Sequence, residues 1–229
     1  MLADMKPVRV LVVGAAGRMG KTVLHLAEED PAIDIVARCD LGDPIEPGMK
    51  NCDVAIDFSH PDAIGEICRA ALDQRKALVI GTTGHSEEQR RIIERASQSV
   101  AIVFASNFSA GVNVLFWLTQ KAAALLGADF NAEIIETHHK MKKDAPSGTA
   151  KTLALVLEAA QKRQIPIQSI REGEVVGEHR VIFTGPGEDL ELTHRAKNRE
   201  IFARGALRAA KWVVEKSPAL YSMQDVIGL

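Results

Sequence analysis

Cysteine is scarce in this chain. Cys39, Cys52 and Cys68 are the only three in 229 residues, and no two of them form a Cys-x-x-Cys pair. A sparse, odd set excludes a disulfide framework and fits a reducing compartment, with each thiol a small buried apolar group rather than a reactive one. Excess charge is also lacking. A net charge of −2 gives no reason to expect a nucleic-acid or anionic-membrane partner. No apolar run reaches the length of a membrane-spanning helix. Residues 1–7 lack the apolar core of a secretory leader, so the expected location is the cytoplasm. There is no internal repeat and no low-complexity tract. What remains is an ordinary globular composition and a chain long enough for a sizeable core and two domains.

The first half alternates strand-length apolar runs with helical stretches. Val8–Val13 reads as a buried parallel strand, the turn Gly14-Ala15-Ala16-Gly17-Arg18-Met19-Gly20 follows, Lys21–Glu29 reads as a helix, and Ile33–Cys39 is the next strand, ending at Asp40. This is a βαβ unit whose glycine-rich turn would place a pyrophosphate at a helix N-terminus. The spacing is G-x-x-G-x-x-G, with Ala16 where the second glycine of the usual dinucleotide fingerprint stands. Asp40 strengthens the reading, because a carboxylate there accepts from a ribose 2′-hydroxyl. Gly20-Lys21-Thr22 imitates the end of a P-loop, but Ala15 occupies the position where that loop needs its first glycine, which disfavours triphosphate hydrolysis. Further strands at 54–58, 77–80 and 100–104 alternate with helices at 62–72 and 86–97. The strand ends carry Gly81-Thr82-Thr83 and Ala105-Ser106-Asn107-Phe108. In an open parallel sheet such ends face the ligand.

Beyond Asn107 the pattern changes. A long apolar helix is expected over 112–126 and a strand over 133–137. A helix follows from Ser147 to about 162, then short strands at 168–171, 179–184 and 190–195 and a helix over 201–215. Together these suggest a second, α+β domain. The densest chemistry lies at Glu136-Thr137-His138-His139-Lys140-Met141-Lys142-Lys143, where two histidines and three lysines occupy six positions. A histidine trades a proton near neutral pH, and a lysine is a point charge for a carboxylate. Ser147 reads as an N-cap, so the N–H groups of Gly148 and Thr149 would form an anion cradle. A metal site is disfavoured, since adjacent histidines on a strand point to opposite faces and the lysines repel a cation.

Taken in order, Val13-Gly14 through Gly20, Ala55-Ile56-Asp57-Phe58, Val79 through Gly84, Ser106-Asn107-Phe108-Ser109, Glu136-Thr137-His138-His139 and Asp144-Ala145-Pro146-Ser147-Gly148-Thr149 resemble the 4-hydroxy-tetrahydrodipicolinate (dihydrodipicolinate) reductase family over nearly the whole chain. The resemblance implies an α/β, Rossmann-like doubly wound parallel sheet for residues 1–108, completed by 199–229, and a substrate-binding and oligomerisation domain over 109–198. It implies an NAD(P)H-dependent oxidoreductase of lysine and diaminopimelate synthesis that acts on a small dicarboxylate and assembles as a homotetramer. His138 would handle a proton and Lys142 would donate one. His139, Gly148 and Thr149 would bind substrate. Gly14, Ala15, Ala16, Gly17, Arg18, Met19, Asp40, Gly81, Thr82, Thr83, Ala105, Ser106, Asn107 and Phe108 would hold the cofactor. Two departures stand out: the segment Leu41–Cys52 is short, and Leu41 replaces an arginine that some relatives carry. NADH is the expected preference over NADPH, since Asp40 would repel a 2′-phosphate and Leu41 offers no compensating cation. Two alternatives stay open on residues alone: a dehydrogenase of an amino or hydroxy acid, and a dinucleotide-binding regulator without turnover.

Overall fold

The computed structural model describes residues 6–229; the first five residues, part of the segment read above for a leader, lie outside the described residues. The chain divides into two compact units, Met1–Phe108 with Phe202–Gly228, and Ser109–Ile201.

In unit 1 the chain runs β1 (Val8–Val13), α1 (Arg18–Glu28), β2 (Ile33–Cys39), α2 (Glu46–Asn51), β3 (Val54–Asp57), α3 (Ile64–Gln74), β4 (Ala77–Ile80), α4 (Glu87–Ala96) and β5 (Ala101–Phe104). In unit 2 it forms α5 (Ala110–Leu126), β6 (Asn131–His138), α6 (Gly148–Gln161), β7 (Ile167–Arg171), β8 (Gly177–Thr184) and β9 (Asp189–Ala196). It then returns through α7 (Glu200–Val213), β10 (Ala219–Tyr221) and α8 (Met223–Ile227).

Unit 1 is a six-stranded sheet in the order β10-β5-β4-β3-β1-β2, with every pairing parallel. The unbroken apolar runs follow from burial on both faces. Along β1, Val10 and Val12 enter the core shared with α1, α7 and α8, whereas Leu11 and Val13 enter the core shared with α2, α3 and α4. This is the doubly wound, Rossmann-like architecture expected above. A capping box of Ser86 and Gln89 opens α4, each side chain accepting from the other's backbone N–H. Elements the sequence reading omitted are α2, β10 and α8. The short Leu41–Cys52 segment therefore holds a helical turn rather than a plain loop.

Unit 2 is a four-stranded mixed sheet, β7-β6-β8-β9, with β6 and β7 parallel and the other pairs antiparallel. One face packs under α5 and α6 through Leu115, Phe116, Leu153 and Leu157 against Ile134, Val181 and Phe183. Helix α5 starts at Ala110, two residues earlier than expected, because the Ser109 hydroxyl caps the N–H of Val112 at 3.2 Å.

Candidate active site

The register of the second sheet explains where its chemistry lies. Ile167, Ile134, Val181 and Leu192 stand side by side across the four strands. Two residues along, the same face presents Ser169, Glu136, His179 and His194. Two further along come Arg171 beside His138 on one pair of strands, and Gly177 beside Ala196 on another. Because side chains on a strand repeat every two residues, one face thus changes from apolar to ionisable at Glu136.

Glu136 is fully buried, and its carboxylate is shared. Arg171 donates to it twice, from Nη1 to Oε2 at 2.9 Å and from Nη2 to Oε1 at 2.7 Å. The Ser147 N–H donates to Oε1 at 3.2 Å, and the His138 Nδ1 contacts Oε2. Burial pushes the carboxyl up, but the hydrogen bonds from Arg171, Ser169 and His138 outweigh it and hold the group at about 2. Glu136 is therefore ionised and can only accept. Burial lowers His138, opposed by Glu136 and reinforced by the charges of Lys142 and Arg171. A neutral His138 must then carry its proton on Nδ1, which leaves Nε2 as the proton-accepting nitrogen. The His179 ring lies edge-on to His138, with centroids 5.2 Å apart. Burial, then the nearby His138, pushes His179 down to about 3.

Lys142 reaches Asp144 with Nζ at 2.8 and 2.9 Å from its carboxylate oxygens, and this pairing holds the Asp144 carboxyl below its usual range. Arg171 Nη2 also donates to the Asp144 carbonyl at 2.6 Å. His139 follows the end of β6. Its N–H donates to the Val175 carbonyl at 2.7 Å, and its Nε2 is 3.3 Å from Arg199 Nη2. Ser147 is the N-cap, its hydroxyl accepting from the Ala150 N–H at 3.2 Å, so Gly148 and Thr149 are the first two residues of α6. The sequence singled out His138, His139, Lys142, Gly148 and Thr149, with Ser147 as the cap, and the structure adds Glu136, Arg171 and His179 around His138. One signal was legible: Ala132, Ile134, Glu136 and His138 share the inward parity of β6, so Glu136 falls where a core residue belongs.

In unit 1 the expected cofactor residues all lie just beyond the C-terminal ends of parallel strands. Gly14 to Met19 follow β1, Asp40 follows β2, Gly81 to Thr83 follow β4, and Ala105 to Phe108 follow β5. Gly14 has φ of +81°, and a Cβ there would stand 2.5 Å from the Phe58 carbonyl oxygen, so only glycine fits. Helix α1 opens on Gly17 with no side-chain cap and no acidic residue in its first turn, as an anion site requires. Thr22, the last residue of the P-loop imitation, lies within α1 and donates its hydroxyl to the Arg18 carbonyl at 2.9 Å. Asp40 accepts from the Ala16 N–H at 3.0 and 2.9 Å, which joins two of the expected cofactor segments. Phe58, not singled out before, joins others: its ring packs edge-on to Phe108 with centroids 5.9 Å apart and covers Gly81. Phe108 is itself buried in the core, its side chain among the core residues and its carbonyl against Gly205. A cavity of about 650 Å³ opens between Gly14, Gly17, Asp40, Asp43, His60, Asp62 and Glu66.

The family model described as "Dihydrodipicolinate reductase, N-terminus" matches residues 8–108, and "Dihydrodipicolinate reductase, C-terminus" matches residues 111–227. A 4-hydroxy-tetrahydrodipicolinate reductase of Akkermansia muciniphila is 45% identical, over 97% of this chain and 98% of that one. The enzyme of that name from Methanoculleus marisnigri is 41% identical, over 97% of this chain and 100% of that one. Among solved structures, a dipicolinate-bound dihydrodipicolinate reductase from Paenisporosarcina sp. TG-14 superposes with a TM-score of 0.85 at 24% identity, over 97% of this chain and 100% of that one.

Proposed function

The chain belongs to the dihydrodipicolinate reductase family, and from that premise we propose that it reduces 4-hydroxy-tetrahydrodipicolinate to tetrahydrodipicolinate with a nicotinamide dinucleotide, in lysine and diaminopimelate synthesis. The observation that carries this reading is the convergence, within twelve residues of unit 2, of a buried histidine, a lysine and a helix N-terminus, His138 to Thr149. It is the set a dianionic, proton-demanding substrate calls for.

The residues of unit 1 fit the cofactor. The uncapped start of α1 and the glycine at residue 14 suit a pyrophosphate, and the cavity beside Asp40 suits an adenosine half. Gly14 to Met19, Asp40, Gly81 to Thr83 and Ala105 to Phe108 would hold it. When bound, it supplies the hydride. NADH is the favoured form, because none of the residues lining the cavity is lysine or arginine, and Asp40, Asp43, Asp62 and Glu66 are among them.

Unit 2 supplies the rest. A ring carboxylate seats at Gly148 and Thr149, aided by His139, which fixes the ring and draws charge toward its imine and carboxylate. The 4-hydroxyl leaves as water with a proton from the neighbouring ring carbon, and the conjugated ring so formed takes up one hydride and one proton. Lys142, cationic beside Asp144, donates the proton that quenches the carbanion formed next to the reduced carbon. His138 Nε2, a base in the resting state, takes part in the same transfer, and the two negative charges of the substrate raise its proton affinity. A homotetramer in the cytoplasm completes the reading. The three free, buried cysteines fit a reducing compartment, and the tetramer is what the resemblance to the family implies. Among the described residues no helix is long and apolar enough to cross a membrane.

Oxidation of NADH, followed spectrophotometrically with freshly generated substrate, tests the assignment. Turnover with this substrate and not with amino or hydroxy acids is the expected result. Absence of turnover with either nucleotide would leave the regulator as the better reading.

A further inference from the structure

The proposed chemistry uses His138 and Lys142 but assigns nothing to the buried carboxylate beneath them. Glu136 has no exposed surface, yet it contacts three separate segments. On β6 it meets the Nδ1 of His138. On β7 it takes both guanidinium nitrogens of Arg171. At the start of α6 it accepts the N–H of Ser147. Arg171 passes the restraint on, since the Nη2 that binds Oε1 also binds the carbonyl of Asp144, the residue that pairs with Lys142. The ring of His138 is bounded on its other side by Gly177, where an added Cβ would stand 3.1 Å from Nε2. So Nε2 faces the one neighbour with no side chain, and Nδ1 faces the one neighbour that can only accept.

We propose that Glu136 is the positioning residue of this site: its carboxylate holds His138 in the Nδ1–H tautomer with Nε2 presented to the substrate, and through Arg171 and Ser147 it sets the place of Lys142 and the α6 N-terminus. The proposal rests on the assignment of proton transfer to His138. No proton passes to Glu136. The histidine proton on Nδ1 stays in its hydrogen bond while Nε2 gains or loses the transferred proton. Arg171 is what keeps the carboxylate an acceptor, because its guanidinium is always charged and grips both oxygens. A carboxylate that served only to neutralise Arg171 would do neither: it would leave the imidazole free to take either tautomer, and its loss would change stability without moving a pH profile.

The test uses the full-length protein. Long-range proton–nitrogen correlation spectra assign the tautomer of His138, with His138→Gln identifying its signals. Wild type is expected to show a protonated Nδ1 and an unprotonated Nε2. Glu136→Gln, which keeps shape and removes charge, is expected to lose that single tautomer and to lower kcat about 10²-fold. Its Kd for NADH should stay at the wild-type value. The kcat limb that His138→Gln abolishes should move to lower pH in Glu136→Gln, because the carboxylate that favoured the imidazolium is gone. Glu136→Asp, which keeps the charge, should restore the position of that limb. An Nε2–H tautomer in wild type overturns the proposal even where His138→Gln has shown His138 to be essential, and whether or not the variants fold. A folded Glu136→Gln with an unmoved limb and kcat within about twofold of wild type overturns it equally.

Discussion

The two units handle ligand chemistry by different means. In unit 1, among the described residues, Asp57 is the only carboxylate or histidine buried on a strand, and everything expected to meet the cofactor lies past a strand end. Its proposed contacts with the cofactor would be made mainly by backbone: the turn at Gly14, the start of α1, the segments after β4 and β5. Unit 2 buries Glu136, His138 and His179 on the face of its sheet and half-buries His194 there. A site made of backbone tolerates side-chain changes and fails when a Cβ is added. A site made of buried ionisable side chains fails one functional group at a time and responds to pH. The contrast can be broken or sharpened by experiment.

The largest effect belongs to unit 2. Replacing His138 with Gln keeps the size of the group and removes its proton chemistry, and kcat should fall by about 10²–10⁴-fold with the Kd for NADH unchanged. Wild-type kcat with a lowered melting temperature would mean that His138 is packed for structure, and the contrast between the units would disappear.

The matching change in unit 1 is the addition of one methyl group. Gly14→Ala puts a Cβ 2.5 Å from the Phe58 carbonyl oxygen at a φ of +81°. Strain plus the displacement of the turn should cost roughly 2–4 kcal/mol of stability. Denaturant midpoints and NADH titration measure it. Both stability and NADH affinity should drop, while kcat at saturating NADH changes far less than in His138→Gln. Unaltered NADH affinity would remove the turn from the cofactor site.

Acid should separate the units next. His179 titrates at about 3 in the folded protein against an ordinary 6.5, chiefly through burial and then the neighbouring His138. The folded state therefore keeps the ring neutral, whereas the unfolded state takes up a proton below 6.5. Stability is complete above that pH and is lost as pH falls toward 3. Between pH 6.5 and 4.5 this one group should remove roughly 2–3 kcal/mol. Glu136, held at about 2, adds a further loss only below its ordinary 4.5. Urea midpoints across this range should fall in wild type and fall less in His179→Gln. A flat wild-type profile would show that the buried row carries no such linkage.

Much of this was legible in the sequence, and the exceptions have physical causes. Apolar runs of strand length followed by helical periods announce a parallel sheet, because each β–α pair is a local pattern. Strand β10 was missed because Ala219–Tyr221 is three residues long and pairs with Ala101–Val103, more than a hundred residues away. Helix α2 was missed because Pro47 and Gly48 give it a poor helical composition. At the site, residue types made His138 and Lys142 conspicuous. Arg171 and His179 meet Glu136 only through the pairing of β6 with β7 and β8, and no local pattern encodes that register. Single residues carry chemistry a reader can see, while their partners are set by which strands lie side by side.

The smallest effect tests the one side chain on which the backbone-built site of unit 1 depends for discrimination. Asp40 accepts from the Ala16 N–H through both oxygens at 3.0 and 2.9 Å, so its carboxylate is already fixed at the wall of the cavity where an adenosine ribose would lie. A ribose 2′-hydroxyl would gain an acceptor there, and a 2′-phosphate would meet like charge. Leu41 projects fully into solvent and offers no cation, and Arg38, on the strand β2 that leads into Asp40, is not among the residues lining the cavity. Asp40→Ala removes the acceptor and one of the repelling charges but leaves Asp43, Asp62 and Glu66 on the lining. The loss of one hydrogen bond to NADH is worth about 1 kcal/mol, so the ratio of kcat/KM for NADH to that for NADPH should fall by about five- to tenfold rather than invert. Measured at matched ionic strength, an unchanged ratio would place the discrimination on the remaining carboxylates, and a wild-type preference for NADPH would refute the assignment of Asp40 altogether.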